Sequence, residues 1–187
     1  VKAVVCFLLL ACIGGVPTLA SEALPRPAGL EPDIGFWRLV FTDVSSEQVV
    51  VHDNRYLGVV YEKFDIPAGA RDSTRRRMMD AGAAKYEGIL KRLATGWRTT
   101  EEARVLALWS GRSSNDSLRA AGGRVRSQQG LADRFQQGLV RSGRWKDHIQ
   151  LNLREAGVPE SLAALPHVES SFNPEARSFV GAAGLWQ

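Results

Sequence analysis

The stretch from Leu162 to Gln187, LAALPHVESSFNPEARSFVGAAGLWQ, limits the possible folds more than any other part of the chain. Leu162, Leu165 and Glu169 fall at i, i+3 and i+7, so on one helix the carboxylate shares the apolar stripe. Pro166 disturbs that helix. It removes one hydrogen bond and crowds the carbonyl of Leu162, which predicts a kink or a fresh start. Asn173-Pro174 then stops the helix, because the residue before a proline is driven out of the helical region. Glu169 is therefore expected near a helix end, facing a cleft built from loops. A carboxylate on a buried face is costly to ionise, so its pKa rises and it stays protonated, ready to serve as an acid. A helix-end glutamate tied to a backbone N–H or an arginine fits the same spacing.

The order of the following residues narrows the choice. Glu169-Ser170, Phe172-Asn173-Pro174, Ala176, Ser178, Gly181-Ala182, Gly184-Leu185 and Gln187 resemble the signature block of the lytic murein transglycosylases, E-S-x-F-N-P-x-A-x-S-x-x-G-A-x-G-L-x-Q. The upstream stretches FWRLVFTDV and VVVHDNRYLGVVYE are similar to the D-type membrane-bound members of that family. The resemblance implies a mainly α-helical protein: a helical accessory region with a small β-hairpin, then the N-terminal part of a lysozyme-like catalytic domain. It implies cleavage of peptidoglycan glycan strands, with Glu169 as the catalytic acid and base. Ser170, Ser178 and Gln187 would line the cleft as substrate-binding groups. No cofactor and no metal is implied.

A glycosidase ordinarily uses two carboxylates. A lytic transglycosylase, as the resemblance implies, uses one. It protonates the glycosidic oxygen and then, as base, helps the sugar's own 6-hydroxyl attack the anomeric carbon. A 1,6-anhydromuramic end results and no water is consumed. Glu175 is the other acid of the block, at a variable position, so a two-carboxylate muramidase is a second reading. A non-catalytic wall-binding or scaffold protein is a third.

The N-terminus reads as an export signal. Lys2 precedes an apolar run from Ala3 to Ile13, too short to span a bilayer, and Thr18-Leu19-Ala20 makes a small-residue cleavage site. Cleavage there removes both cysteines, Cys6 and Cys12, and leaves no disulfide for the fold to rest on. Leu9-Leu10-Ala11-Cys12 also resembles a lipobox, which would make Cys12 the lipid-bearing residue of an outer-membrane lipoprotein. Either route predicts a periplasmic protein. The net charge of +4 suits a solvated surface, an anionic wall polymer or a membrane surface. No basic stripe with interleaved aromatics and no zinc or helix-turn-helix signature points to nucleic acid.

Four divisions follow: a signal at residues 1–20, a Pro/Gly-rich connector at 21–32, an accessory region at 33–143 and the start of a lysozyme-like domain at 144–187. Within the accessory region, Phe36, Trp37, Val40 and Phe41 predict a short amphipathic helix. The β-branched and aromatic runs either side of Asp53-Asn54 predict a hairpin, with His52 an ordinary strand-end residue. Met79, Ala83, Tyr86, Leu90 and Leu93 predict a helix from Asp72 to Ala94, stopped by Gly96. Arg71, Arg75, Arg76 and Arg77 crowd its start, where the helix dipole disfavours cations, so they serve solvation or an anionic partner. Thr99 and Glu102 have capping-box spacing. Leu118, Ala121 and Val125 predict a further helix, weakened by Gly122-Gly123, and Leu131, Phe135 and Leu139 predict another. Trp145, Ile149, Leu153 and Ala156 line the next, ended by Gly157. His167, two residues from Glu169, points to a different helical face. The sequence stops at Gln187, short of the family's later motifs, so this chain alone is expected to be poorly active or inactive.

Overall fold

The structure is a computed structural model that describes residue 24 and residues 26–187. The predicted signal, the predicted lipobox with Cys6 and Cys12, and residues 21–23 and 25 of the connector lie outside the described residues. The described part is mainly helical with one small antiparallel sheet. Its elements are α1 (Glu31–Arg38), β1 (Gln48–Asp53), β2 (Val60–Asp65), α2 (Asp72–Ala94), α3 (Thr100–Ala107), α4 (Asn115–Gly122), β3 (Val125–Gln129), α5 (Ala132–Ser142), α6 (Lys146–Glu155) and α7 (Leu165–Glu169). None of the described helices is long and apolar enough to cross a membrane.

The hairpin is the nucleus of the sheet. β1 pairs with β2 antiparallel, with a bulge between Val51 and His52, and the turn that joins them is held by the Asp53 carboxylate. That carboxylate accepts the N–H groups of Arg55 (2.8 Å) and Tyr56 (2.9 Å), the usual way an aspartate closes a turn on its own backbone. β1 is central, in the order β2-β1-β3, and it is covered on both faces. Val51 points into a core with Tyr61, Tyr86, Leu90, Leu93, Trp109 and Leu118, while Val50 points into a second with Phe36, Val40 and Val44. This two-sided burial accounts for an unbroken valine run where a half-exposed strand would alternate.

The third strand corrects the sequence expectation. The predicted helix through Val125 ends at Gly122, and Val125 opens β3, which pairs with β1 from Val49↔Gln129 to Asp53↔Val125. The sequence VRSQQ carries no strand-like pattern. Its polar side chains are used as tethers instead, with the Ser127 hydroxyl donating to the Met79 carbonyl (2.7 Å) and the Gln129 amide to the Ser46 carbonyl.

Other local expectations match the structure. α2 runs from Asp72 to Ala94, and Gly96 follows at positive φ. Thr99 caps α3, accepting the Glu102 N–H at 3.5 Å and donating its hydroxyl to the Glu102 carboxylate. Arg92 at the end of α2 closes on the same buried carboxylate (Nη2 to Oε1, 2.7 Å), so the cap also fastens α3 to α2. α1 takes in Glu31 and Pro32 and continues into a single π-turn, Leu39–Asp43, closed by the Val44 N–H on the Leu39 carbonyl (3.1 Å). Of the arginine cluster at the start of α2, Arg75 donates to the Ser46 carbonyl (2.8 Å), which gives that residue a structural task.

α5 is the bridge to the C-terminal elements. Its first turn is pinned by Asp133, which accepts the Ser46 N–H (2.8 Å) and hydroxyl (2.6 Å). Phe135 then meets Phe41 on one side (centroids 5.6 Å apart) and His167 on the other (5.1 Å). Beyond α5 a third, smaller core forms from Ile149, Ala163 and Phe172, flanked by Trp145, Leu153 and Leu185.

Candidate active site

Pro166 produces a fresh start. Glu160–Ala164 forms a turn of 3-10 helix, and α7 begins at Leu165 with Pro166 in its first turn, where the missing N–H costs nothing. Residues three apart eclipse in a 3-10 helix, so Leu162 still lines up with Leu165, but the face they share is not the buried one, and Leu165 is exposed. Pro166, not Glu169, is the buried residue of α7, and the Glu169 side chain is exposed at the helix end. The expected burial of that carboxylate is therefore not found in the described residues. Its position at a helix end, beside loops, is as expected.

α7 ends earlier than Asn173-Pro174 requires. Ser171 (φ 51°) and Phe172 (φ 55°) both adopt the left-handed conformation, and the N–H groups of Ser170 (3.1 Å) and Phe172 (3.0 Å) close on the Pro166 carbonyl. Two consecutive non-glycine residues in this region are strained and need support from their surroundings. α5 supplies it. Arg141 Nε donates to the Ser171 carbonyl (2.9 Å), and Gly138 lets α5 approach so closely that a Cβ there would lie 3.1 Å from the same oxygen. The Phe172 ring fills the small core and is 1% exposed. Sequence reasoning missed Arg141 and Gly138. A glycine inside a predicted helix was the one available signal, while an arginine on a helix face carries none.

From Ala176 the chain doubles back. The Ser178 N–H donates to the Ala182 carbonyl (2.8 Å), the Ala182 N–H to the Ser178 hydroxyl oxygen (2.9 Å) and the Gly184 N–H to the Ala176 carbonyl (3.0 Å). Phe179 and Val180 stand fully exposed at the tip. The returning strand meets the end of α7, where the Ser170 hydroxyl donates to the Leu185 carbonyl (3.0 Å) and the Gln187 amide to the Glu169 carbonyl (2.8 Å). Ser170, Ser178 and Gln187 thus all hold the loop around Glu169, each through a hydrogen bond to main chain. Of these three side chains, Gln187 has a buried atom without a partner, Oε1. Glu175, with its N–H on the Asn173 side-chain oxygen (3.1 Å), is exposed in the turn before this loop.

His167 lies on the opposite side of α7 from solvent, its ring between Phe135 (5.1 Å) and Phe172 (4.5 Å), with Nδ1 unpartnered. Behind it a pocket of about 250 Å³ is lined by Lys146, Gln150, Glu160, Ser161 and Phe172, and Glu169 is not part of it. Burial lowers the pKa of His167, and burial among Phe36 and the β1 neighbours likewise lowers that of His52, although a hydrogen bond to the Asp53 carbonyl acts against it. The fold thus disfavours the protonated rings, while the unfolded chain takes up protons near pH 6.5. Stability from this source is complete above about pH 6.5 and lost as the pH falls below it. The melting temperature is expected to drop between about pH 7 and pH 5, and His167→Phe to make the drop shallower. A melting temperature that rises on acidification through this range would contradict the assignment.

Residues 148–187 match the family model of the transglycosylase SLT domain. This SLT segment begins within α6 and contains α7, Glu169 and the whole doubled-back loop. The match supports the lytic transglycosylase family and accords with a lysozyme-like domain. No curated protein and no solved structure matches the chain. Among the described residues, no three His, Cys, Asp or Glu side chains are grouped so as to hold a metal ion.

Proposed function

We propose that this chain acts on peptidoglycan as a lytic transglycosylase, with Glu169 as its only acid and base. The observation that carries the reading is the match of residues 148–187 to the SLT domain, within which Ser170 and Gln187 tie the end of α7, at Glu169, to the returning chain. Glu169 gives its proton to the glycosidic oxygen between the two amino sugars. It then takes the proton of the 6-hydroxyl as that oxygen closes on the anomeric carbon, so one carboxylate ends as it began. The product is a 1,6-anhydromuramic end.

In the described residues Glu169 is open to water, and this chemistry draws on a water-poor site. Glycan lying across α7, or protein covering that face, must displace the water. The D-type membrane-bound subtype remains our reading of the upstream stretches, as do export to the periplasm, membrane-surface contact and lipidation at Cys12 as an alternative to simple cleavage.

The test is digestion of purified sacculi with the products weighed by mass spectrometry. Anhydro ends are expected, and Glu169→Gln should reduce their release by about a hundredfold while leaving binding to sacculi intact. Reducing ends, each heavier by one water, would move the assignment to a muramidase. Binding without any product, unchanged in Glu169→Gln, would leave a non-catalytic wall-binding protein.

A further inference from the structure

Three arginines from separate turns gather around one aromatic ring, far in sequence from the SLT segment. Arg55 lies just after β1, Arg112 in the connection between α3 and α4, and Arg124 just before β3. Their guanidinium carbons stand 5.5, 4.7 and 5.6 Å from the centroid of the Tyr56 ring. Tyr56 in turn meets the buried Trp109 edge-on at 5.9 Å. An aromatic face attracts a cation, but it carries no net charge and cannot neutralise three.

The carboxylate that touches this group, among the described residues, is Asp53, which is committed to Arg124 (Nε to Oδ2, 3.0 Å) in the interior. Arg55 and Arg112 are exposed and form no side-chain hydrogen bond or ion pair among the described residues. Three guanidinium groups against one carboxylate leave two positive charges uncompensated. Folding spends free energy to bring them together, and a guanidinium lying on a ring keeps its N–H edges available as donor forks for an oxyanion. The frame is fixed in advance. The Asn54 N–H donates to the Arg124 carbonyl (3.0 Å) and the Arg112 N–H to the Trp109 carbonyl (2.8 Å), so all three turns are already tied to each other or to the core. Little ordering is left for a ligand to impose.

We propose that Arg55, Arg112 and Arg124, arranged around Tyr56, form a binding site for an oxyanion, a carboxylate or a phosphate group. The experiment follows the melting temperature of the chain against inorganic phosphate and, separately, N-acetyl-D-alanine, with ionic strength held constant by sodium chloride. A saturable rise with either anion is expected, and the anion that gives it identifies the source, phosphate or carboxylate. Arg55→Gln combined with Arg112→Gln should weaken binding about tenfold or more, since both side chains are exposed and their loss leaves the fold intact. Lysine at both positions keeps the charge but not the fork, and is expected to restore only part of the affinity. Arg38→Gln, a change to an arginine outside the cluster, should leave the response unaltered. The proposal is overturned if neither anion acts beyond chloride, or if the double glutamine variant responds as the parent does.

Discussion

Gly130→Ala is expected to cost the fold about 4 kcal/mol and lower the melting temperature by roughly 10 °C. Gly130 joins β3 to α5, and a Cβ there would fall on the carbonyl oxygens of Val44 and Ser45. Neither side can give way cheaply. The Gly130 N–H donates to the Gln48 carbonyl (2.9 Å), Leu131 to Val40 (2.9 Å) and Ala132 to Val44 (2.9 Å), so moving the segment breaks the bonds that seat α5. The same displacement would carry Phe135 away from Phe41 and disturb the support of α7. Urea unfolding of parent and variant measures the effect. A change within about 0.5 kcal/mol, the range of an ordinary surface substitution, would show that the approach is not as close as described.

Asp53→Ala is the second large effect, about 3–5 kcal/mol. The carboxylate is wholly buried, and its removal strands the Arg124 guanidinium, which is only 20% exposed, together with the N–H groups of Arg55 and Tyr56. An uncompensated charge in that setting costs more than the lost contact itself. Asp53→Asn keeps an acceptor for the two N–H groups and should recover part of the loss. It also leaves all three arginines without a counter-charge, so phosphate or N-acetyl-D-alanine should stabilise this variant more than the parent. Denaturant titrations with and without the anion would read both effects. An alanine variant as stable as the parent would mean that the ion pair contributes nothing to the fold.

Much of the fold was legible from local chemistry. The stripe from Met79 to Leu93 gave α2, the Thr99–Glu102 spacing gave the cap of α3, and Pro166 marked the restart at α7. β3 was not legible, because a strand held by its neighbour's edge and by Ser127 and Gln129 tethers needs no apolar period of its own. The place of the candidate site in the fold was legible, but its environment was not. Glu169 and its helix end followed from the residues, whereas its exposure did not, because packing decides that α7 buries the side of Pro166. The left-handed pair Ser171-Phe172 was hidden for a similar reason. Its cause is Arg141 and the Gly138 approach, some thirty residues earlier in the chain.

The sheet order has a bearing on synthesis. β1 and β2 emerge together and can pair at once, but the other edge of β1 must wait until Gln129 has left the ribosome. Through that interval the nascent chain carries Val49-Val50-Val51 on an open edge, the kind of template that recruits other chains. The polar character of β3 makes the latecomer itself a poor seed for such association. Aggregation during production is therefore expected to depend on how fast residues 54–129 are delivered, so slowing translation across that span should lower the soluble yield.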